Sequence, residues 1–234
     1  MNRDFYDGYA QSFSSTRFDI QPGIRSLLPL LLTKKSILDL GSGNGNLARA
    51  LFEEGFEGNY FGIDNSLGLL VEAKANLPKA STAQYSFEQI DLSNPNLFFP
   101  QDAVFDAIVC FAVIHHFPEA PYLNHFFQLA HKNLPEGGYF ILSTWQVKNN
   151  PRLQSRIQDW ALAGLQASQL SNDDLLIDWR GDPNQPPRYR YVRHYDSGQL
   201  KATAENCSFI LRDEFYSDGK EGDLALYQVW QKPA

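Results

Sequence analysis

The stretch Ile37-Leu38-Asp39-Leu40-Gly41-Ser42-Gly43-Asn44-Gly45 constrains this chain more than any other. It reads as a short buried strand, a glycine-rich turn and the start of a helix. Glycines at alternate positions let the backbone turn sharply and approach a ligand closely. The helix beyond offers N-terminal amides that have no partners within it. The spacing is Gly-x-Gly-x-Gly and lacks the third glycine of the dinucleotide fingerprint. Asp39 lies inside the strand, two residues before the first glycine. A carboxylate there faces a cationic or amine-bearing ligand more readily than a pyrophosphate. A plain strand-helix turn is the alternative.

Around this stretch, apolar runs alternate with helical spacing. Strand-like runs cover 37–40, 59–63, 84–90, 105–112 and 139–144. Continuous apolar runs of this length fit strands buried on both faces. Between them, Leu47, Ala50 and Leu51 share one helical face, and Leu67, Leu70, Val71 and Ala75 share another. Leu123, Phe126, Phe127, Ala130 and Leu134 recur at the same spacing before Pro135-Glu136-Gly137-Gly138 breaks the helix. Strand alternating with helix predicts an α/β fold with a parallel sheet. Residues 151–166 read as a further helix, 181–187 as a polar, Pro-rich loop, and 207–216 and 224–231 as strands joined by a turn at 217–222. The last two runs can close the sheet as an antiparallel pair. The expected organisation is a single domain over 1–234. It divides into a lid and first helix at 1–34, a cofactor-binding core at 35–145, a substrate cap at 146–200 and closing strands at 201–234.

A chain of 234 residues, 43% hydrophobic and 14% aromatic, can bury a full core without disulfides or metal. Its formal charge of -7 argues against a broad basic face for nucleic acid, though not against a local basic patch. Two cysteines, Cys110 and Cys207, cannot build a disulfide framework or a four-thiolate site. Cys110 sits in an apolar run as a buried thiol would in a reducing compartment. The first residues lack the apolar core of a signal peptide, and no run approaches the ~20 residues that span a bilayer. The expectation is a cytoplasmic protein that does not enter a membrane. No His-Cys-carboxylate spacing suggests a metal ligand set.

Two more acids follow strand-like runs. Asp64 stands 23 positions after Gly41, an offset at which an acid accepts from ribose hydroxyls. It can also cap the next helix, as can Asn65 or Ser66. Asp91 can accept from an adenine amino group while Leu92 packs the ring, or it can simply make a turn. The order Asp-x-Gly-x-Gly-x-Gly, an acid after the second strand and Asp-Leu after the third resembles the class I S-adenosylmethionine-dependent methyltransferases. Phe105-Asp106-Ala107-Ile108-Val109 and Leu134-Pro135-Glu136-Gly137-Gly138 are similar to that family's fourth strand and the turn before its fifth. The resemblance covers about residues 35–145. It implies a doubly wound, mostly parallel seven-stranded sheet, Rossmann-like, with an antiparallel final strand and a cap inserted before the last strands. It implies S-adenosylmethionine as cofactor, with contacts from Asp39, Gly41, Ser42, Gly43, Asp64, Asn65, Asp91, Leu92 and Phe111.

Two further stretches narrow the likeness. Phe5 to Phe18, which includes Tyr6, Ala10, Phe13, Thr16 and Arg17, and Ala112-Val113-Ile114-His115-His116-Phe117 resemble the tRNA wobble-uridine methyltransferases that esterify a carboxymethyl side chain. Ile177-Asp178-Trp179-Arg180 and Arg190-Tyr191-Val192-Arg193-His194 stand where that family has a tryptophan element and an Arg-Tyr-Tyr-His run. Val192, the shifted His194 and Ser42 in place of a cysteine depart from the pattern. The resemblance implies tRNA as acceptor and a small activator protein as partner; a small-molecule O- or N-acceptor is the alternative. The N-terminal segment is then expected to be a lid, with Tyr6 and Phe13 covering the cofactor or packing on an ordinary helix face, and Arg17 among the cofactor contacts.

A carboxylate acceptor is already ionised at neutral pH and needs a cation to hold it, ideally a bidentate arginine. The resemblance implies Arg17, Arg190 and Arg193 as the candidates, against the ordinary fate of arginine as a surface charge. A hydroxyl or amine acceptor is helped by a base, and His116 follows the fourth strand at the end of the sheet where ligands bind. It serves equally well as an orienting residue. The aromatics Trp145, Trp179, Tyr189, Tyr191 and Tyr195, interleaved with arginines, suit base stacking or the cap's own core; Trp160, beside Leu162 and Leu165, suits the core.

Overall fold

A computed structural model describes residues 19–78, 84–94, 96, 97, 99, 103–118, 121–179 and 188–234. Tyr6, Phe13 and Arg17 lie outside the described residues, as do most of the expected lid and the 181–187 loop. The chain forms α1 (Pro22–Leu31), β1 (Ser36–Leu40), α2 (Asn46–Glu53), β2 (Asn59–Asp64), α3 (Leu67–Asn76), β3 (Gln84–Gln89), β4 (Ala107–Phe111), α4 (Pro121–Lys132) and β5 (Tyr139–Trp145). There follow α5 (Pro151–Gln154), β6 (Ile157–Gln158), β7 (Asp174–Trp179), β8 (Arg188–Arg193), α6 (Ser197–Asn206), β9 (Ile210–Ser217) and β10 (Ala225–Gln231).

Seven strands form one sheet in the order β3-β2-β1-β4-β5-β10-β9. The first five pair in parallel, and β10 runs antiparallel between β5 and β9. The order reverses between β1 and β4, which opens a crevice at their carboxyl ends. Successive residues of each strand face opposite sides. Leu38, Leu40, Ile108, Phe140 and Trp230 join Phe126 and Phe127 of α4 on one side. Ile37, Val109, Ile141 and Tyr227 join α1, α2 and α3 on the other. Both faces are covered, which explains the continuous apolar runs.

The helices follow local signals. Pro22 opens α1, where a missing N–H costs nothing. Ser66 caps α3 by accepting from Leu69 N at 3.4 Å. The buried face of α3 differs from the expected one. Leu69, Leu70 and Ala73 are buried, while Leu67 and Val71 are 59% and 58% exposed. On α4, Leu123, Phe126, Phe127 and Ala130 are buried as their spacing predicts.

The segment after β5 departs furthest from expectation. No single helix covers 151–166. After α5 the chain makes β6 and a 3₁₀ turn at Trp160–Ala163, which Asp159 caps and Gly164 ends at a φ of 72°. β6, β7 and β8 make a separate antiparallel sheet. It packs on a small cluster of Val147, Leu153, Ile177 and Val192. Trp160 is buried in this region, whereas Leu162 and Leu165 are exposed. α6 then opens with a reciprocal cap in which Asp196 accepts from Gln199 N and the Gln199 side chain accepts from Asp196 N.

Candidate active site

A cleft of about 700 Å³ opens at the crevice between β1 and β4. The glycine turn forms one wall. Gly41 and Ser42 both donate to the Ile63 carbonyl, at 2.8 and 2.9 Å, and bind the turn to β2. Gly41 has a φ of +82°, and a Cβ there would stand 2.2 Å from Val113 Cγ2. Only glycine fits this conformation and this space. Gly43, also left-handed, faces open space within the cleft.

Asp64 reaches back to this turn. Its Oδ2 accepts from Gly43 N and its Oδ1 from Ser66 N, both at 2.9 Å. Asp91 Oδ1 accepts from Ser93 N and Oγ, as a turn aspartate does, and Asp91 still lines the cleft beside buried Leu92. Asn65 and Phe111 line it too.

Asp39 lies beneath the turn and accepts a short hydrogen bond from the Tyr60 hydroxyl. Burial pushes its carboxyl up to about 7. The Tyr60 bond opposes that rise, and the neighbouring Asp64 charge adds to it. The Tyr60 phenol is likewise pushed well above its ordinary value, first by burial and then by Asp39.

Beyond β4 the backbone turns through Ala112, at a φ of 56°. Its N–H donates to the Ser143 carbonyl and Oγ, at 3.1 and 3.0 Å. His115 is fully buried, and its ring stacks on Trp145 at 4.5 Å. His116 lines the cleft. Its Nδ1 donates to the Tyr191 carbonyl at 3.2 Å, which leaves Nε2 as the ring's acceptor. That bond joins the small sheet to the cleft, and Tyr191 itself forms part of the wall.

Neither Arg190 nor Arg193 of β8 is among the described lining of the cleft. Arg190 is buried with its guanidinium 5.0 Å from the centre of the Trp145 ring. Arg193 is buried and donates through Nη1 to Asp174 Oδ1 and Ser171 Oγ, each at 2.9 Å. Asp173 stands 3.8 Å from its Nη2. The acids of the small sheet occupy the guanidinium that was expected to clamp an acceptor carboxylate. Arg190 is thus taken up by an indole and Arg193 by two carboxylates.

Sequence reasoning missed three wall residues that work together. The Tyr227 hydroxyl donates to Asp218 Oδ2 at 2.6 Å, and Gly23 N donates to Oδ1 at 2.9 Å. Ser143 stands opposite Tyr227 in the β5–β10 register. The Tyr227 phenol is pushed up by burial and by the Asp218 charge, against a smaller opposing hydrogen bond from Ser143. The only sequence signal was Asp218-Gly219 at a strand turn. Its position at the cleft depends on β10 returning beside β5.

Residues 32–183 match the family described as a methyltransferase domain. A probable methyltransferase, ltbC, of Aspergillus luteorubrus is 29% identical over 123 residues, covering 48% of this chain and 42% of that protein. The chain thus spans less than half the length of that curated relative. Magnesium protoporphyrin IX methyltransferase from Synechocystis, solved with S-adenosylhomocysteine, is 14% identical with a TM-score of 0.68, covering 99% of this chain and 97% of that one. An S-adenosylmethionine-dependent methyltransferase from Methanosarcina mazei is 18% identical with a TM-score of 0.64, covering 92% and 99%. The cleft suits the cofactor of such proteins. Ser42 Oγ is buried there with no hydrogen-bond partner among the described residues, and the Gly43 position is a space a side chain would fill. Asp64 would hold ribose hydroxyls, Asp91 and Leu92 the adenine, and Asp39 and the glycine turn the amino-acid end. The chain belongs to the methyltransferase-domain family and carries the fold of the class I S-adenosylmethionine-dependent methyltransferases.

Proposed function

We propose that the protein transfers the methyl group of S-adenosylmethionine to a small-molecule acceptor at the Trp145–Tyr227 end of the cleft. The continuity of the cleft carries this reading. One cavity of about 700 Å³ joins the glycine turn, Asp64 and Asp91 to Ser143, Trp145, Tyr191 and Tyr227. Cofactor and small-ligand sites fall in the range of about 300–1,000 Å³. When bound, the cofactor supplies a methyl group on a positively charged sulfur. The chain's part is to orient the acceptor and exclude water, with Ile20, Ile24, Phe111 and Leu224 as apolar walls. His116, fixed by the Tyr191 carbonyl, is placed to take a proton from a hydroxyl or amine. Tyr191 also brings the second sheet to the cleft, which supports a substrate-cap role for residues 146–200.

A second reading is esterification of a carboxymethyl group on a tRNA wobble uridine, aided by a small activator protein. It rests on the likeness of Ala112 to Phe117 and of residues 5–18 to that family, and on Arg188 being exposed at the start of β8. Labelled-methyl transfer to fractionated cell extract separates the two. Label in the small-molecule pool supports the first reading, and label in RNA alone overturns it in favour of the second.

A further inference from the structure

We infer that the acceptor half of the cleft is built for an amine-bearing substrate, with Asp218 as the carboxylate that anchors it. This rests on the reading of the cleft as a small-molecule methyltransferase site. Asp218 lies in the turn between β9 and β10 and is 5% exposed, yet it lines the cleft. Hydrogen bonds from Gly23 N and the Tyr227 hydroxyl hold one side of each carboxylate oxygen. The remaining acceptor positions are unclaimed. No lysine or arginine pairs with it among the described residues. A buried carboxylate without a counter-ion is costly, and a cation is the group that offsets that cost.

The rest of the wall has the same sign. The charged residues of the described lining are Asp19, Asp39, Asp64, Asp91 and Asp218, with no lysine or arginine. Asp39, Asp64 and Asp91 belong to the cofactor half, so Asp19 and Asp218 are the charged groups left to the acceptor half among the described residues. The nearby cations are committed elsewhere: Arg190 stacks on Trp145, and Arg193 is held by Asp173 and Asp174. A substrate carboxylate here would meet two like charges. An ammonium would complete the hydrogen bonding of Asp218 and lie against the apolar surfaces of Ile20, Ile24 and Phe111.

The test uses two probes of matched ring and chain and opposite charge. The protein saturated with S-adenosylhomocysteine is titrated at pH 7 with tryptamine and with indole-3-acetate, and binding is read by calorimetry. Tryptamine should bind at least about tenfold more tightly, the worth of one charge-assisted hydrogen bond. Asp218→Asn should remove that preference and leave S-adenosylhomocysteine affinity unchanged. Equal binding, preference for the acid, binding of neither probe, or a preference that survives Asp218→Asn overturns the inference. If that variant fails to fold, the amine-to-acid ratio of the native protein decides alone. Failure to bind S-adenosylhomocysteine at all would strike instead at the reading of the site as a methyltransferase cleft.

Discussion

Replacing Gly41 and Gly43 in turn by alanine separates two roles within one short turn. Gly41 has a φ of +82°, and a Cβ would meet Val113 Cγ2 at 2.2 Å. The left-handed conformation costs an alanine about 1–2 kcal/mol. Forcing Val113 aside adds about 1–3 kcal/mol, the usual penalty of overpacking. Gly41→Ala should therefore lose about 2–5 kcal/mol. Gly43 has a φ of +54° but nothing within 4 Å of an added Cβ. Gly43→Ala should lose only the conformational part, about 1–2 kcal/mol. The order reverses for ligand binding, because the new methyl group at residue 43 projects into space meant for the cofactor. Urea denaturation measures the first effect and titration with S-adenosylhomocysteine the second. Equal stability losses in the two variants, or undiminished affinity in Gly43→Ala, would refute the assignment of Gly41 to packing and Gly43 to the ligand.

Three further outcomes follow from the same geometry. Asp39 holds its proton more tightly in the folded protein, near pH 7, than at its ordinary value of 3.8. Its contribution to stability is therefore complete below pH 3.8 and is lost as pH rises towards 7, by up to about 4 kcal/mol. In urea denaturation at pH 5 and pH 8, Asp39→Asn should lose less stability between the two than the parent; identical losses would exclude the buried carboxyl as the cause. Arg193→Ala leaves Asp174 without its 2.9 Å partner, and denaturation should show a loss of about 3 kcal/mol with cofactor affinity intact, as expected of a broken buried pair. Loss of methyl transfer without loss of stability would return Arg193 to the acceptor site. If His116 acts as a base, protonating its ring should slow methyl transfer, so the rate should fall on the acid side of the pH profile; a flat profile from pH 6 to 8 removes that role.

Much of the sheet was legible because its central strands are buried on both faces. The runs at 37–40, 59–63 and 139–144 correspond to β1, β2 and β5 within a residue or two. That Asp39, Asp64 and Asp91 would line a cleft was legible for a related reason: the crevice of such a sheet opens at the carboxyl ends of its parallel strands. The small antiparallel sheet was not legible. Residues 151–166 read as one helix, but Asp159 and Gly164 confine 160–163 to one 3₁₀ turn. The burial of α3 was misread because Leu67, Leu70 and Val71 make an apolar stripe as regular as the one formed by Leu69, Leu70 and Ala73. The roles of Arg193 and Asp218 depend on partners 19 or more residues away in sequence, at Asp174 and Gly23. No local pattern encodes such pairings.

The central claim is that the cleft at the β1–β4 crevice binds S-adenosylmethionine through the glycine turn and Asp64. Calorimetric titration with S-adenosylhomocysteine tests it most directly. The account predicts saturable one-to-one binding that weakens at least about tenfold in Asp64→Ala, which removes the acceptor of Gly43 N and the proposed acceptor of a ribose hydroxyl. No binding to the native chain, or binding that Asp64→Ala leaves unchanged, would contradict it.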